Sequence, residues 1–196
     1  MQDRQDTHIQ WLLGNICNYN CWYCPDHLHS NDTRLYSDEQ LAGSIRYVAN
    51  ELRAVGRDAR IEFVGGEPTL HKGIITGLSS TGSNHPGGNR LTTNGSASLE
   101  WYQDNYVYFS HIEISYHVPW ANLQHIVETV NYLKTLEEGP SVEVLVHASN
   151  ADAHWSRAID EYEQLIDLGI NARIKLLYSN FTRGNQYMPY KNYQLK

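Results

Sequence analysis

The sequence predicts an α/β fold, an open and mostly parallel sheet of six strands that forms a partial (β/α)6 barrel. Strand-like and helix-like segments alternate along the chain, a pattern typical of parallel sheets with right-handed crossovers. At about 30 residues per strand–helix unit, six units need about 180 residues. A complete eight-unit barrel needs about 250, more than the 196 residues present. We therefore expect one domain, 1–196, with its elements between about 8 and 180.

The six predicted strands share a common composition. Most are rich in β-branched or aromatic residues, and several end at glycine, asparagine or serine, which favour turns. They cover residues 8–16, 59–65, 90–93, 106–116, 141–148 and 172–178. Because parallel strands end at one edge of their sheet, we expect the reactive groups to gather at that edge.

Between the strands, apolar residues recur at helical spacing. The first helix begins at residues 37–40, Ser-Asp-Glu-Gln, a sequence typical of a capping box, and ends at Gly56. The other predicted helices cover residues 73–79, 98–104, 121–138 and 152–168. The stretch 79–89 predicts a flexible surface loop, and the tail 183–196 has no helical pattern.

Composition and charge exclude several classes of protein. Hydrophobic residues make up 41% of the chain, which is enough for a buried core and argues against disorder. Acidic residues outnumber basic ones by 22 to 15, and this balance disfavours a nucleic-acid partner. No apolar run approaches the ~20 residues that span a bilayer, and the polar N-terminus lacks a signal-peptide core. We therefore expect a soluble, cytoplasmic protein with no membrane partner.

The three cysteines indicate a metal site. Cys17, Cys21 and Cys24 lie in one short segment, and the rest of the chain has no cysteine. An odd number of cysteines without an export signal is a poor disulfide framework. A thiolate-rich site suits zinc or an iron–sulfur cluster. The residues alone leave two interpretations open, a four-iron cluster with one iron free of protein ligands, or a structural zinc site with His27 or His29 as fourth ligand.

Three motifs, in order, resemble those of the radical S-adenosylmethionine (radical SAM) superfamily. The first is Cys17-x3-Cys21-x-Tyr23-Cys24, which looks like the cluster motif of that family. Residues 64–69, Val-Gly-Gly-Glu-Pro-Thr, look like its GGE segment, and residues 92–96, Thr-Thr-Asn-Gly-Ser, look like its TNG stretch. The resemblance covers about residues 8–180. It implies a radical SAM core, a partial TIM-like barrel that holds a [4Fe–4S] cluster and S-adenosylmethionine (SAM).

The resemblance also implies roles for individual residues. The three cysteines would ligate three irons, while the amino and carboxylate groups of SAM chelate the fourth. The GGE segment would bind the methionine amino group, although it would also serve as a plain turn. The residues expected at the cofactor or substrate are Tyr23, Gly65, Gly66, Glu67, Thr93, Asn94, Ser115, His117 and His147. Other histidines, including His154, are interpreted as surface or helix residues.

The family chemistry is the reductive cleavage of SAM to a 5′-deoxyadenosyl radical, which takes a hydrogen atom from a substrate. We expect a small organic or nucleoside-like substrate and an external electron donor such as flavodoxin or ferredoxin. Two alternatives stay within the family, a glycyl-radical-enzyme activase with a protein partner and a peptide-modifying enzyme. The alternative from another class is a non-catalytic, zinc-stabilised α/β binding module. With no second cysteine cluster, we expect no auxiliary iron–sulfur domain in this chain.

Overall fold

Six parallel strands form one sheet, and their spatial order follows their order in the chain. The computed structural model describes residues 5–24, 29–31, 34–81, 88–180, 186–187, 190–191 and 194. The strands are β1 (Gln5–Leu12), β2 (Arg57–Val64), β3 (Asn89–Thr93), β4 (Phe109–Tyr116), β5 (Ser141–Ala148) and β6 (Ala172–Leu176). The predicted α/β class and the open six-strand parallel sheet are confirmed.

Five helices connect these strands. They are α1 (Asp38–Ala54), α2 (Lys72–Thr81), α3 (Leu99–Asn105), α4 (Leu123–Lys134) and α5 (Asp152–Asp167). The capping box predicted for α1 is present, because the Gln40 N–H donates to Ser37 Oγ and the Ser37 N–H donates to Gln40 Oε1, at 3.2 and 2.9 Å. The first N–H groups of a helix have no carbonyl partner within the helix. The two side-chain hydrogen bonds supply acceptors for them, and this favours the start of α1 at this point.

The hydrophobic core lies between the sheet and the helices. Alternate strand residues point to opposite faces of a sheet. On the face covered by helices, most of the buried strand residues are apolar, among them Ile61, Phe63, Leu91, Ile112, Ile114, Val144 and Val146. The opposite face carries polar side chains, including the hydrogen-bonded Gln10 and Glu62 on β1 and β2. Because the helices pack against one face of the sheet, they do not cover the carboxyl ends of the strands, where a binding site can form.

Several predicted ends are wrong, each for a local reason. Strand β1 stops at Leu12 rather than residue 16, because the chain leaves the sheet through Gly14, which has φ +106°. Residues Tyr106–Tyr108 form a 3-10 helix, so β4 begins at Phe109 instead of residue 106. Helix α4 begins after Asn122, whose side chain accepts from the His125 N–H.

The predicted loop differs from the structure at both ends, and the tail contains a short strand. Helix α2 continues through Thr81 and β3 begins at Asn89, while residues 82–87 of the predicted loop lie outside the described residues. In the predicted tail, β8 (Gln186–Tyr187) pairs antiparallel with β7 (Tyr178–Asn180).

Of the helices that the structure describes, none has both the length and the apolar composition of a membrane span.

Candidate functional site

The loops that follow β1 to β4 surround one open cavity at the carboxyl end of the sheet. Its volume is about 190 Å³. Its walls are formed by Cys17, Tyr19, Cys21, Cys24, His29, Gly65, Gly66, Thr92, Thr93, Asn94, Ser115 and His117. All three cysteines and six of the other predicted residues therefore share a single cavity. Tyr23, Glu67 and His147 are not among the residues that line it.

The cysteine loop holds three free thiols. Cys21 is buried, Cys17 and Cys24 are half-buried, and none forms a disulfide. The Cys24 N–H donates to the Cys21 carbonyl at 2.9 Å, and the Cys17 N–H donates to Asn31 Oδ1 at 2.7 Å. Burial raises the pKa of Cys17, and raises that of Cys21 to about 12. Because metals bind thiolates, loading this site has to release protons.

Asn18 ties the cysteine loop to the end of β3. Its Oδ1 accepts from Asn94 Nδ2 at 2.9 Å, and its Nδ2 donates to Ser96 Oγ at 2.8 Å. Asn94 Nδ2 also lies 3.8 Å from Cys17 Sγ. Sequence reasoning missed Asn18, because neither of the two asparagines between Cys17 and Cys21 carries a signal of a partner 76 residues away.

The GGE segment passes directly against the cysteine loop. Gly65 and Gly66 have φ values of +91° and +56°, which side chains disfavour. A Cβ added at Gly66 would lie 2.2 Å from the Ile16 carbonyl oxygen, to which the Glu67 N–H donates at 2.7 Å. The glycines therefore allow a close approach between two backbones, and this approach holds the first cysteine beside the end of β2.

Glu67 points into the protein. Its side chain is fully buried, and its Oε1 accepts from the Thr69 N–H, the Thr69 hydroxyl and the Thr93 hydroxyl at 3.0, 2.8 and 2.7 Å. Oε2 accepts from the Asn94 N–H at 2.6 Å. Burial raises the pKa of Glu67, and these donated bonds act in the opposite direction. The carboxylate thus joins the ends of β2 and β3, while the Gly65 and Gly66 backbone lines the cavity.

The segments that form the cavity lie within a region that matches a known protein family. The sequence model of the radical SAM superfamily matches residues 11–175. The chain belongs to the radical SAM superfamily. This family uses a [4Fe–4S] cluster and SAM. The resemblance drawn from the three sequence motifs is thereby confirmed.

Two solved structures share the fold of this radical SAM chain. "Native anSMEcpe with bound AdoMet" is 20% identical, with a TM-score of 0.55, and the match covers 93% of this chain and 56% of that chain. A histidine-tagged form of anSMEcpe, also described with bound AdoMet, is 19% identical, with a TM-score of 0.57 and coverage of 93% and 54%. The radical SAM chain spans about half the length of these structures. No curated protein matches it.

A group of three histidines lies at one side of the radical SAM cavity, and one of them lines its wall. We call His117, His147 and His154 the histidine group. Tyr23 contacts all three, with its hydroxyl 2.7 Å from His117 Nδ1 and its ring centroid 5.8, 6.4 and 5.9 Å from those of His117, His147 and His154. His154 lies on α5 as the sequence predicts, but its ring faces Trp22 and Tyr23 of the cysteine loop. This contact was missed because helical periodicity does not show an approach to a distant loop.

The remaining candidates differ in how they are placed. Ser115 is buried and makes no hydrogen bond to the described residues, so its hydroxyl is available at the cavity wall. The Thr93 hydroxyl is already engaged with Glu67 and with the Gly95 N–H. His29 lies on the cavity wall, whereas His27 is outside the described residues.

Glu67→Gln should destabilise the radical SAM fold. The amide nitrogen of glutamine is a donor, and at this site it would face donors from Thr69, Thr93 or Asn94. An unsatisfied buried group costs about 1–3 kcal/mol. Urea denaturation should show a loss of unfolding free energy in this range, and Thr93→Val, which removes one donor to Glu67 and the acceptor of the Gly95 N–H, should also cost about 1–3 kcal/mol. A Glu67→Gln protein as stable as the unaltered chain would contradict the role assigned to Glu67.

Proposed function

We propose that this chain is a radical SAM enzyme that binds a [4Fe–4S] cluster through Cys17, Cys21 and Cys24. It cleaves SAM reductively and takes a hydrogen atom from a small organic or nucleoside-like substrate. The observation that carries this proposal is the convergence of three free thiols and a glycine backbone on one cavity, in a chain of this family. Three thiol ligands on one loop fit a four-iron cluster with one iron left for SAM.

The cofactor proposal has support from the fold neighbours. Both structures contain bound AdoMet, which is SAM, and the match covers 93% of this chain. When bound, the reduced cluster supplies the electron that splits SAM into methionine and a 5′-deoxyadenosyl radical. Since the radical is unselective, the protein has to orient the substrate and exclude water around it.

Different residues of this chain bind SAM and position the end of β3. The Gly65 and Gly66 backbone offers polar groups close to the cysteines, where the methionine amino group would bind. The Ser115 hydroxyl, near the end of β4, offers a further hydrogen bond at the cavity wall. The Thr93 and Asn94 side chains are held by Glu67, Asn18 and Ser96, so we assign them mainly to the positioning of the β3 end.

The electron comes from an external donor, for which flavodoxin or ferredoxin is the natural class, and such donors suit a cytoplasmic enzyme. Because the chain spans about half of the solved structures it matches, their remaining parts supply no guide to its substrate. Activation of a glycyl-radical enzyme, or modification of a peptide, would use the same cavity with a larger partner. Each would show as SAM cleavage that rises only when the protein or peptide partner is added.

A specific observation favours the zinc-stabilised binding module as second candidate. His29 lies on the cavity wall with the three cysteines, and Cys3His is a common ligand set for structural zinc. Such a site needs no sulfide and leaves no metal position open for SAM.

One experiment separates the two candidates. The protein is purified and reconstituted without oxygen, analysed for iron, sulfide and zinc, reduced with dithionite, and incubated with SAM. We expect about four irons and four sulfides per chain and the release of 5′-deoxyadenosine, measured by chromatography. One zinc per chain with no sulfide would support the binding module, and a loaded cluster that leaves SAM intact would refute the enzyme.

A further inference from the structure

The histidine group lies where β4, β5 and α5 meet. His117 follows β4, His147 is close to the end of β5, and His154 is in the first turn of α5. The His117 and His147 ring centroids are 4.6 Å apart. His117 also lines the cavity, so the group is continuous with the proposed active site.

Four buried polar atoms in this region have no hydrogen-bond partner among the described residues. They are both ring nitrogens of His147, the Nε2 of His154 and the hydroxyl of Ser149. His147 is 8% exposed and Ser149 is fully buried. The Ser149 N–H donates to His154 Nδ1 at 3.2 Å, so a neutral His154 carries its proton on Nε2, a donor without an acceptor. Buried polar groups are normally paired, and a group of unpaired ones indicates a ligand.

The titratable groups that interact with His117 and His147 are lysine and histidine side chains. Burial lowers the pKa of His147 strongly, and His117, Lys175 and His154 lower it further. Burial lowers the pKa of His117 to about 4, with Lys175 and His154 acting in the same direction. Lys175 is exposed, pairs directly with His147 across β5 and β6, and has no ion pair within the described ranges. The histidines are therefore neutral at neutral pH, and a bound anion would meet the positive charge of Lys175 and the ring N–H donors of the histidines.

We propose that His147 and His154, together with Lys175 and the Ser149 hydroxyl, bind an oxyanion group of the substrate, a carboxylate or a phosphate. This inference rests on the proposed function, since it assigns the substrate side of the same cavity. The GGE segment follows β2, and His147 lies near the end of β5, three strands away. At about 4.8 Å per strand, that separation is about 14 Å. We therefore assign the oxyanion to the substrate rather than to the methionine end of SAM, and the SAM affinity of the same variants tests this assignment.

The test uses the cluster-loaded protein with inorganic phosphate and acetate as probes. Binding is followed by the line widths of the phosphorus and methyl NMR signals, and the affinity for SAM is measured on the same samples. Lys175→Gln should weaken binding of the preferred anion about threefold, since an exposed charge contributes modestly. His147→Phe keeps an aromatic ring but removes both nitrogens, and it should weaken anion binding at least about tenfold. The probe that binds with the higher affinity identifies the substrate group as a phosphate or a carboxylate.

Lys72→Gln is the matched control, because it removes the same charge from exposed Lys72 on α2. It should leave anion binding unchanged. Absence of binding of both probes, or equal weakening by Lys175→Gln and Lys72→Gln, would overturn the proposal. So would a loss of SAM affinity in Lys175→Gln equal to the loss of anion affinity. If His147→Phe does not fold, Lys175→Gln decides. Anion binding that depends on Lys175 in a protein that never cleaves SAM would refute the enzyme but retain the oxyanion site.

Discussion

Replacing any one of Cys17, Cys21 and Cys24 by alanine should abolish cluster retention and SAM cleavage together. The chain has no other cysteine, so no thiol can take the place of a missing ligand. Two thiolates would hold the cluster too weakly to survive reduction, and SAM would have no site at the iron. We expect less than about one hundredth of the 5′-deoxyadenosine of the unaltered protein, in keeping with the large losses caused by removal of groups that act as a unit.

The matched control is Asn20→Ala, an exposed position in the same loop. It should retain about four irons per chain and most of the SAM cleavage. Iron and sulfide analysis, the visible absorption of the cluster and the 5′-deoxyadenosine assay are carried out on all four variants and on the unaltered protein. A cysteine variant that keeps its sulfide and cleaves SAM would exclude that cysteine as a ligand.

Gly66→Ala should have the second largest effect, on both stability and cluster loading. The added Cβ would meet Ile16 backbone atoms at 2.2 and 2.9 Å, and backbone cannot move aside as a side chain can. The segment would have to shift, with loss of the hydrogen bond from the Glu67 N–H to Ile16. Left-handed backbone alone costs an alanine about 1–2 kcal/mol. With the clash added, we expect a loss of at least about 4 kcal/mol, a size reserved for severe defects.

Gly56→Ala separates the cost of the left-handed backbone from the cost of the clash with Ile16. Gly56 also has a left-handed φ, +75°, but a Cβ there would meet nothing within 4 Å. It should therefore lose only about 1–2 kcal/mol and load its cluster normally. Urea denaturation and iron analysis compare the two variants. Similar losses in both would mean that the close approach at Ile16 is not what requires a glycine at position 66.

The class of the fold and the family could both be predicted from the sequence. Alternating strand and helix patterns predict a parallel sheet, and the handedness of crossovers restricts how consecutive strands can be joined. The observed sheet follows chain order from β1 to β6. The spacing of Cys17, Cys21 and Cys24 carries the family resemblance because ligands on one loop are close in sequence as well as in space. The roles of the individual site residues stay predictions.

The side chains that meet across the site became apparent only in the folded structure. Glu67 lies 26 residues before Thr93, and its carboxylate turns towards Thr93 and Asn94 because β2 and β3 are neighbours. His154 joins His117 and His147 only once α5 has packed beside the cysteine loop. Periodicity shows which face of an element is buried, but it does not show the distant partner of a polar group. Such partners depend on how the elements pack, because hydrogen bonds act over about 3 Å and require the final geometry.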